Sequence, residues 1–129
     1  MRLVSFKRGG KIRLGILAED GTEVIDLSVA APKLPADMTA FIAGGDKMRA
    51  AAAKALTTRR KDARIPYKRA RIVAPIPSPV RNIICVGKNY YEHAKEFDAS
   101  GFNATADASA IPADPIIFSK ASTTVCGPG

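Results

Sequence analysis

Between Lys11 and Leu17 the side chains alternate, with Ile12, Leu14 and Ile16 set against Lys11, Arg13 and Gly15. A period of two marks a strand with one buried face. Arg2 to Lys7, carrying Leu3, Val4 and Phe6, reads as a strand before it, and Arg8-Gly9-Gly10 as the turn between them. Glu19-Asp20-Gly21 closes a second hairpin, with Gly21 suited to a positive φ. Thr22 to Leu27 returns through Val24, Ile25 and Leu27. Residues 2 to 27 therefore predict a small antiparallel meander.

Beyond Pro32 and Pro35 the period changes. Asp37 is placed to cap a short helix through Met38, Phe41 and Ile42, and Gly44-Gly45 stops it. Asp46 then caps a longer helix from Lys47 to about Thr58, whose Met48, Ala52, Ala55 and Leu56 fall on one stripe. Residues 59 to 69 read as a basic connection containing Pro66, and Ala70 to Ala74 as a short strand. Pro75-Ile76-Pro77-Ser78-Pro79 has prolines at alternate positions, the mark of a stiff, extended segment. A domain boundary is placed there, giving an N-terminal domain over 1–74, a linker over 75–81 and a further domain over 82–129.

Asn82 to Val86 is a short β-branched apolar run and predicts a buried strand. Gly87 ends it and provides the sharp turn. Tyr90 to Phe97 reads as a turn or two of helix. On that helix His93, the single histidine of the chain, shares a face with Glu96. A carboxylate beside an imidazole fixes its tautomer and makes a general base that works near neutral pH. The same spacing also fits a solvated pair on an exposed helix. Residues 97 to 114 are poor in large apolar side chains and read as a loop of the lid type. Pro115 to Lys120 predicts another strand, and a strand ending near Val125 leads to the turn Gly127-Pro128-Gly129.

Composition narrows the picture. Of the apolar 47%, 22 residues are Ala and none is Trp, so the core is modest. No stretch approaches the roughly 20 apolar residues of a membrane span, and the N-terminus lacks the apolar region of a signal peptide. Two cysteines, Cys85 and Cys126, make neither a disulfide framework nor a zinc pattern, which points to a cytoplasmic protein with reduced thiols. The net charge of +8 is concentrated in residues 46 to 71, where ten basic side chains face only Asp46 and Asp62. Such a run serves either as a nucleic-acid patch or as a solvated surface. With Tyr67 its only aromatic residue there is no stacking platform, so nucleic acid is disfavoured.

Several ordered segments resemble the fumarylacetoacetate hydrolase family. They are Met-Arg-Leu-Val-Ser-Phe at the start, Ala74-Pro75-Ile76-Pro77, Ile84-Cys85-Val86-Gly87-Lys88-Asn89-Tyr90, then His93 and Glu96, Pro115 to Lys120, and Gly127-Pro128-Gly129. The resemblance implies an α+β protein, a β-meander and helix domain followed by the first part of a β-rich, roll-like catalytic domain. It implies a hydrolase, isomerase or decarboxylase of small 2-oxo or 2,4-dioxo acids, of the kind found in aromatic catabolism, working as a homodimer. His93 would be the base and Glu96 its orienting partner, on a helix that closes over substrate. Lys88, Asn89 and Tyr90 would line the pocket mouth. Lys120 would meet the substrate's carboxylate or oxyanion, although an exposed lysine at a strand end explains it equally.

The family's Mg²⁺ or Mn²⁺ is held by acids that include a Glu-x-Glu pair beyond the Gly-Pro-Gly turn. This sequence has no Glu after Glu96, and its later acids are Asp98, Asp107 and Asp114. The metal ligands are therefore expected outside these residues. The 129 residues alone are expected to be inactive and without specific Mg²⁺ binding, as a segment cut before the metal site or as a non-catalytic remnant.

Overall fold

The structure, a computed structural model, describes residues 1–101 and 114–128. The chain forms two compact units. The first runs from Met1 to Ser78 and takes in the last residues from Val125 on. The second runs from Pro79 to Thr124.

The first unit is a curled five-stranded sheet with helices on one face. The expected meander is present as β1 (Arg2–Arg8), β2 (Lys11–Leu17) and β3 (Glu23–Asp26). β1 and β2 pair antiparallel from Arg2↔Leu17 to Arg8↔Lys11. Gly9 and Gly10 both take positive φ (57° and 76°), the geometry of a two-residue hairpin turn whose twist matches the strands. At the second hairpin Gly21 has φ 75°. The Thr22 backbone N–H and hydroxyl both donate to Asp20 Oδ1, at 2.9 Å each.

Those two bonds, the backbone one first, hold the Asp20 carboxyl below its ordinary 3.8. A carboxyl so lowered adds stability above its unfolded pKa and loses it as pH falls through the folded value. Thr22→Val keeps the backbone donor and removes the hydroxyl. Its expected effect is to bring Asp20 part of the way back towards 3.8, read by NMR titration of the side-chain carboxyl. An unmoved titration would show that the hydroxyl contributes nothing.

Three features of this unit depart from the sequence expectation. First, β2 is covered on both faces, not one. Directly paired residues share a face. On one face Leu14 and Ile16 join Leu27, Met38, Phe41, Ala52 and Ala55 in the core. On the other Phe6 and Val24 are fully buried as well. Gly15 lies between these two, and a Cβ there would come within 2.7 Å of Val24 Cγ1 and 3.0 Å of Phe6 Cε1. The face that alternation marked as polar is thus closed because a glycine lets the sheet pack on itself.

Second, the basic connection holds a strand. β4 (Arg64–Pro66) pairs with β3, and β5 (Arg71–Ile72) pairs with β1, giving the order β4-β3-β2-β1-β5. Pro66 is tolerated because β4 is an edge strand. Third, a helix α1 (Leu27–Ala30) follows β3 directly, capped by Asp26, whose Oδ1 accepts from Ser28 N at 3.0 Å.

The next helices follow the expectation more closely. α2 (Met38–Ala43) is capped by Asp37, whose Oδ1 accepts from Ala40 N at 2.9 Å. α3 (Gly45–Ala55) starts earlier than expected, with Gly44 as its cap. Asp46 sits inside the first turn, where it pairs with Arg49 instead of capping. Phe41, Leu27 and Ile16 are essentially inaccessible. Each contributes about 1.5–3 kcal/mol by leaving water. Ile76 also packs against this core, and Pro75 O accepts from Ser5 Oγ at 2.6 Å. The start of the proline-rich stretch is thereby fixed to the sheet.

The second unit is a two-stranded ribbon and a helix. β6 (Ile83–Gly87) pairs antiparallel with β7 (Ile116–Lys120), and α4 (Tyr91–Ala99) follows β6. The buried strand expected over 82–86 is corrected. Ile84 is 75% exposed and Val86 43%, because among the described residues β6 has only β7 beside it. After Lys120 the chain makes a 3-10 turn at Ser122–Thr124, so no strand reaches Val125. The loop expected from residue 97 is corrected at its start, because α4 runs on to Ala99; residues 102 to 113 of that stretch, with Asp107, lie outside the described residues.

Candidate active site

β6 brings the chain to Gly87, and the turn follows at Lys88, whose φ is 46°. The sequence suggested Gly87 as the residue with unusual backbone, but the left-handed residue is Lys88. A non-glycine residue in that conformation costs roughly 1–2 kcal/mol. Such strain often accompanies a functional site. The turn leads through Asn89 and Tyr90 into α4, where Ala94 N donates to Tyr90 O at 3.1 Å. Ala94 is fully buried, and His93 next to it is half-buried.

The imidazole is held in place by an aromatic neighbour. The Tyr90 and His93 ring centroids are 5.2 Å apart, with the rings tilted by 34°. That is an ordinary offset aromatic arrangement. On the exposed side of α4, Lys95 Nζ lies 4.4 Å from the centre of the Tyr91 ring.

His93 forms one wall of a cavity of about 340 Å³, with Gly87, Lys88, Ile116 and Phe118 as the others. The ribbon's register explains the grouping. Gly87 pairs with Ile116 and Cys85 with Phe118, so these residues share one face. At Gly87 the backbone itself faces these two side chains. A Cβ there would meet Ile116 Cγ2 and Phe118 Cε1 at 3.6 Å, ordinary contact distances.

Of the residues singled out from the sequence, His93 and Lys88 meet at this cavity. Glu96 lies one turn along α4 and is exposed. Among the described residues no hydrogen bond or ion pair joins it to His93. Asn89 and Tyr90 are exposed, and Tyr90 reaches the site only by its ring against His93. Lys120 is opposite Ile83, at the far end of the ribbon from Gly87. Four residues of strand, about 13 Å, separate it from the level of Ile116. Gly87, Ile116 and Phe118 were not singled out as site residues.

The basic segment is partly neutralised. Arg60 pairs with Asp62 at 2.7 Å, Arg49 with Asp46 at 3.1 Å, and Arg64 with Glu23 at 2.6 Å. Among the described residues no three His, Cys, Asp or Glu side chains converge as a metal site. Both thiols, Cys85 and Cys126, are free. Among the described residues no helix is long and apolar enough to cross a membrane.

No protein-family model matches the chain. The human mitochondrial oxaloacetate tautomerase FAHD2B is 32% identical to it over 130 residues, covering 99% of this chain and 37% of that protein. The fumarylacetoacetate hydrolase domain-containing protein 2 homolog of Dictyostelium discoideum is 35% identical over 116 residues, covering 90% and 33%. A solved structure, the fumarylacetoacetate hydrolase of psychrophilic Exiguobacterium antarcticum, matches with a TM-score of 0.54 and 28% identity over 95% of this chain and 36% of that one. The chain belongs to the fumarylacetoacetate hydrolase family. It spans little more than a third of the length of the curated relatives it matches. The human relative and the solved member are named as enzymes, and the mixed sheet and helix fold is consistent with that of the solved member.

Proposed function

We propose that this chain supplies the base of a fumarylacetoacetate hydrolase-family enzyme acting on small 2-oxo or 2,4-dioxo acids. The observation that carries the reading is the half-buried His93 on the wall of an apolar cavity that also holds Lys88. A 2-oxo acid placed there presents its carboxylate to the Lys88 ammonium. Neutral His93 takes a proton from the carbon next to the carbonyl, or from a water that attacks it. Negative charge develops on the carbonyl oxygen, and the Lys88 ammonium stabilises it. Glu96 orients the ring when the pair closes, since hydrogen bonds of this kind are often loose before substrate binds. The β6–β7 ribbon is then the first part of the roll-like catalytic domain.

Mg²⁺ or Mn²⁺ would serve a complete enzyme of this kind by polarising the oxo acid. The described residues do not form a site for it, because a hard cation needs several converging oxygen ligands. In this chain the proton chemistry rests on His93.

The reading is tested by titrating the 129-residue chain with pyruvate and following the His93 ring by NMR, where the lone histidine gives one unambiguous signal. A saturable shift that His93 shares with the Lys88 signals is the expected result. A ring that pyruvate leaves unmoved at any concentration up to tens of millimolar defeats the proposal.

Lys88→Gly separates strain from function at the same site. Glycine adopts the left-handed turn at no steric cost, so about 1 kcal/mol of strain is released, partly offset by the freer unfolded chain. The expected outcome is weaker pyruvate binding in a chain that still folds, read by urea unfolding beside the titration. A variant that binds pyruvate as well as the parent would remove Lys88 from the site.

A further inference from the structure

The walls of the His93 cavity bear on which acid it takes, an inference that rests on the oxo-acid reading above. Of the five described residues that line it, Gly87, Ile116 and Phe118 offer only hydrocarbon or backbone. The two charged or titratable ones, Lys88 and His93, stand at the turn and on α4, away from the strand β7 that forms the apolar wall. Ile116 and Phe118 face the same way because both pair with residues on one face of β6. Each remains 44% exposed, so the wall offers apolar area that an incoming group can still cover.

We infer that this cavity selects a 2-oxo acid with one carboxylate and an apolar substituent over a dicarboxylate. One carboxylate is matched by Lys88. The chain of the substrate then runs over Gly87 onto Ile116 and Phe118. A second carboxylate in that position lies against hydrocarbon and loses part of its hydration without a partner, which is unfavourable. A methylene in the same position gains by leaving water. Each added methylene is expected to tighten binding about threefold while the wall lasts. The mitochondrial relatives are named for oxaloacetate, a dicarboxylate, so the inference sets this chain's preference apart from the substrate in their names.

The experiment is an NMR titration of the 129-residue chain with 2-oxobutanoate, 2-oxohexanoate, hexanoate and oxaloacetate. The His93 ring, Ile116 methyls and Phe118 ring report binding. The expected result is 2-oxohexanoate binding at least tenfold more tightly than oxaloacetate, with 2-oxobutanoate between them. Phe118→Lys is expected to reverse that order, and Gly87→Leu to weaken 2-oxohexanoate more than 2-oxobutanoate. Ile116→Lys repeats the charge test if Phe118→Lys fails to fold. Oxaloacetate binding as tightly as 2-oxohexanoate overturns the inference. So does an order that neither lysine variant changes. Hexanoate matching 2-oxohexanoate would support the apolar wall while overturning the oxo-acid reading. No shift from any of the four acids overturns both.

Discussion

Replacing His93 by Ala in a complete fumarylacetoacetate hydrolase-family protein carrying this segment is expected to lower turnover about a hundredfold or more. The expectation follows from position and chemistry together. His93 is half-buried on the wall of a cavity whose other described lining residues are Gly87, Lys88, Ile116 and Phe118. Among the described lining residues, a neutral imidazole is the one group able to accept a proton near neutral pH. Removing it should leave the fold intact, since its described contact is the Tyr90 ring at a centroid distance of 5.2 Å. Urea unfolding of the variant should therefore stay within about 1 kcal/mol of the parent, the scale of such aromatic pairs. Glu96→Gln should cost less than His93→Ala, because it keeps a hydrogen-bonding group and removes only charge. Steady-state kinetics on a 2,4-dioxo acid, with both variants, separate the roles. Full activity of His93→Ala would end the assignment. An equal loss in both variants would instead make Glu96 a partner in the proton transfer itself.

The parts of this chain that were legible in the sequence are those written in local periodicity. The β1–β2 hairpin follows from alternation around Gly9-Gly10, and α2 follows from Asp37 before an apolar run. The helix carrying His93 was legible for the same reason, with three-residue spacing after a turn. What was missed depends on pairing between distant residues. β4 is basic, short and ends in Pro66, and becomes a strand only because β3 offers it an edge. α1 was hidden because Asp26 is both the last residue of β3 and the helix cap. The apolar wall of the site comes from the register of β6 on β7, which sets Ile116 and Phe118 beside Gly87 and Cys85. No local pattern announces that register. The sequence places the sharp turn at Gly87, because glycine turns freely, whereas the left-handed φ falls on the next residue, Lys88.

Asp26→Ala is expected to destabilise the first unit by about 3 kcal/mol, the lower end of the range for breaking a buried ion pair. Asp26 has no accessible surface, yet it carries three jobs at once. Its Oδ2 accepts from Arg8 Nη1 and Arg13 Nη1, both at 2.9 Å, and its Oδ1 caps α1 through Ser28 N. The alanine variant removes the cap, worth about 1 kcal/mol, and leaves two guanidinium groups without their counter-charge. The lower end applies because Arg8 and Arg13 keep 39% and 28% of their side-chain surface in water. Arg8 also retains a bond to Asp62 O at 3.1 Å. Asp26→Asn can keep the cap while losing the charge, so it should cost roughly 2 kcal/mol by the same argument. The combined change of Asp26, Arg8 and Arg13 to Leu, Met and Met should recover most of the loss. Once all three charges are gone, none is left to desolvate. Urea midpoints of the four proteins at neutral pH decide the matter. A loss below 1 kcal/mol for Asp26→Ala would mean that the arginines find water as good a partner as the carboxylate. A triple variant weaker than the single one would mean that the polar triad itself fixes how β1, β2 and β3 pack.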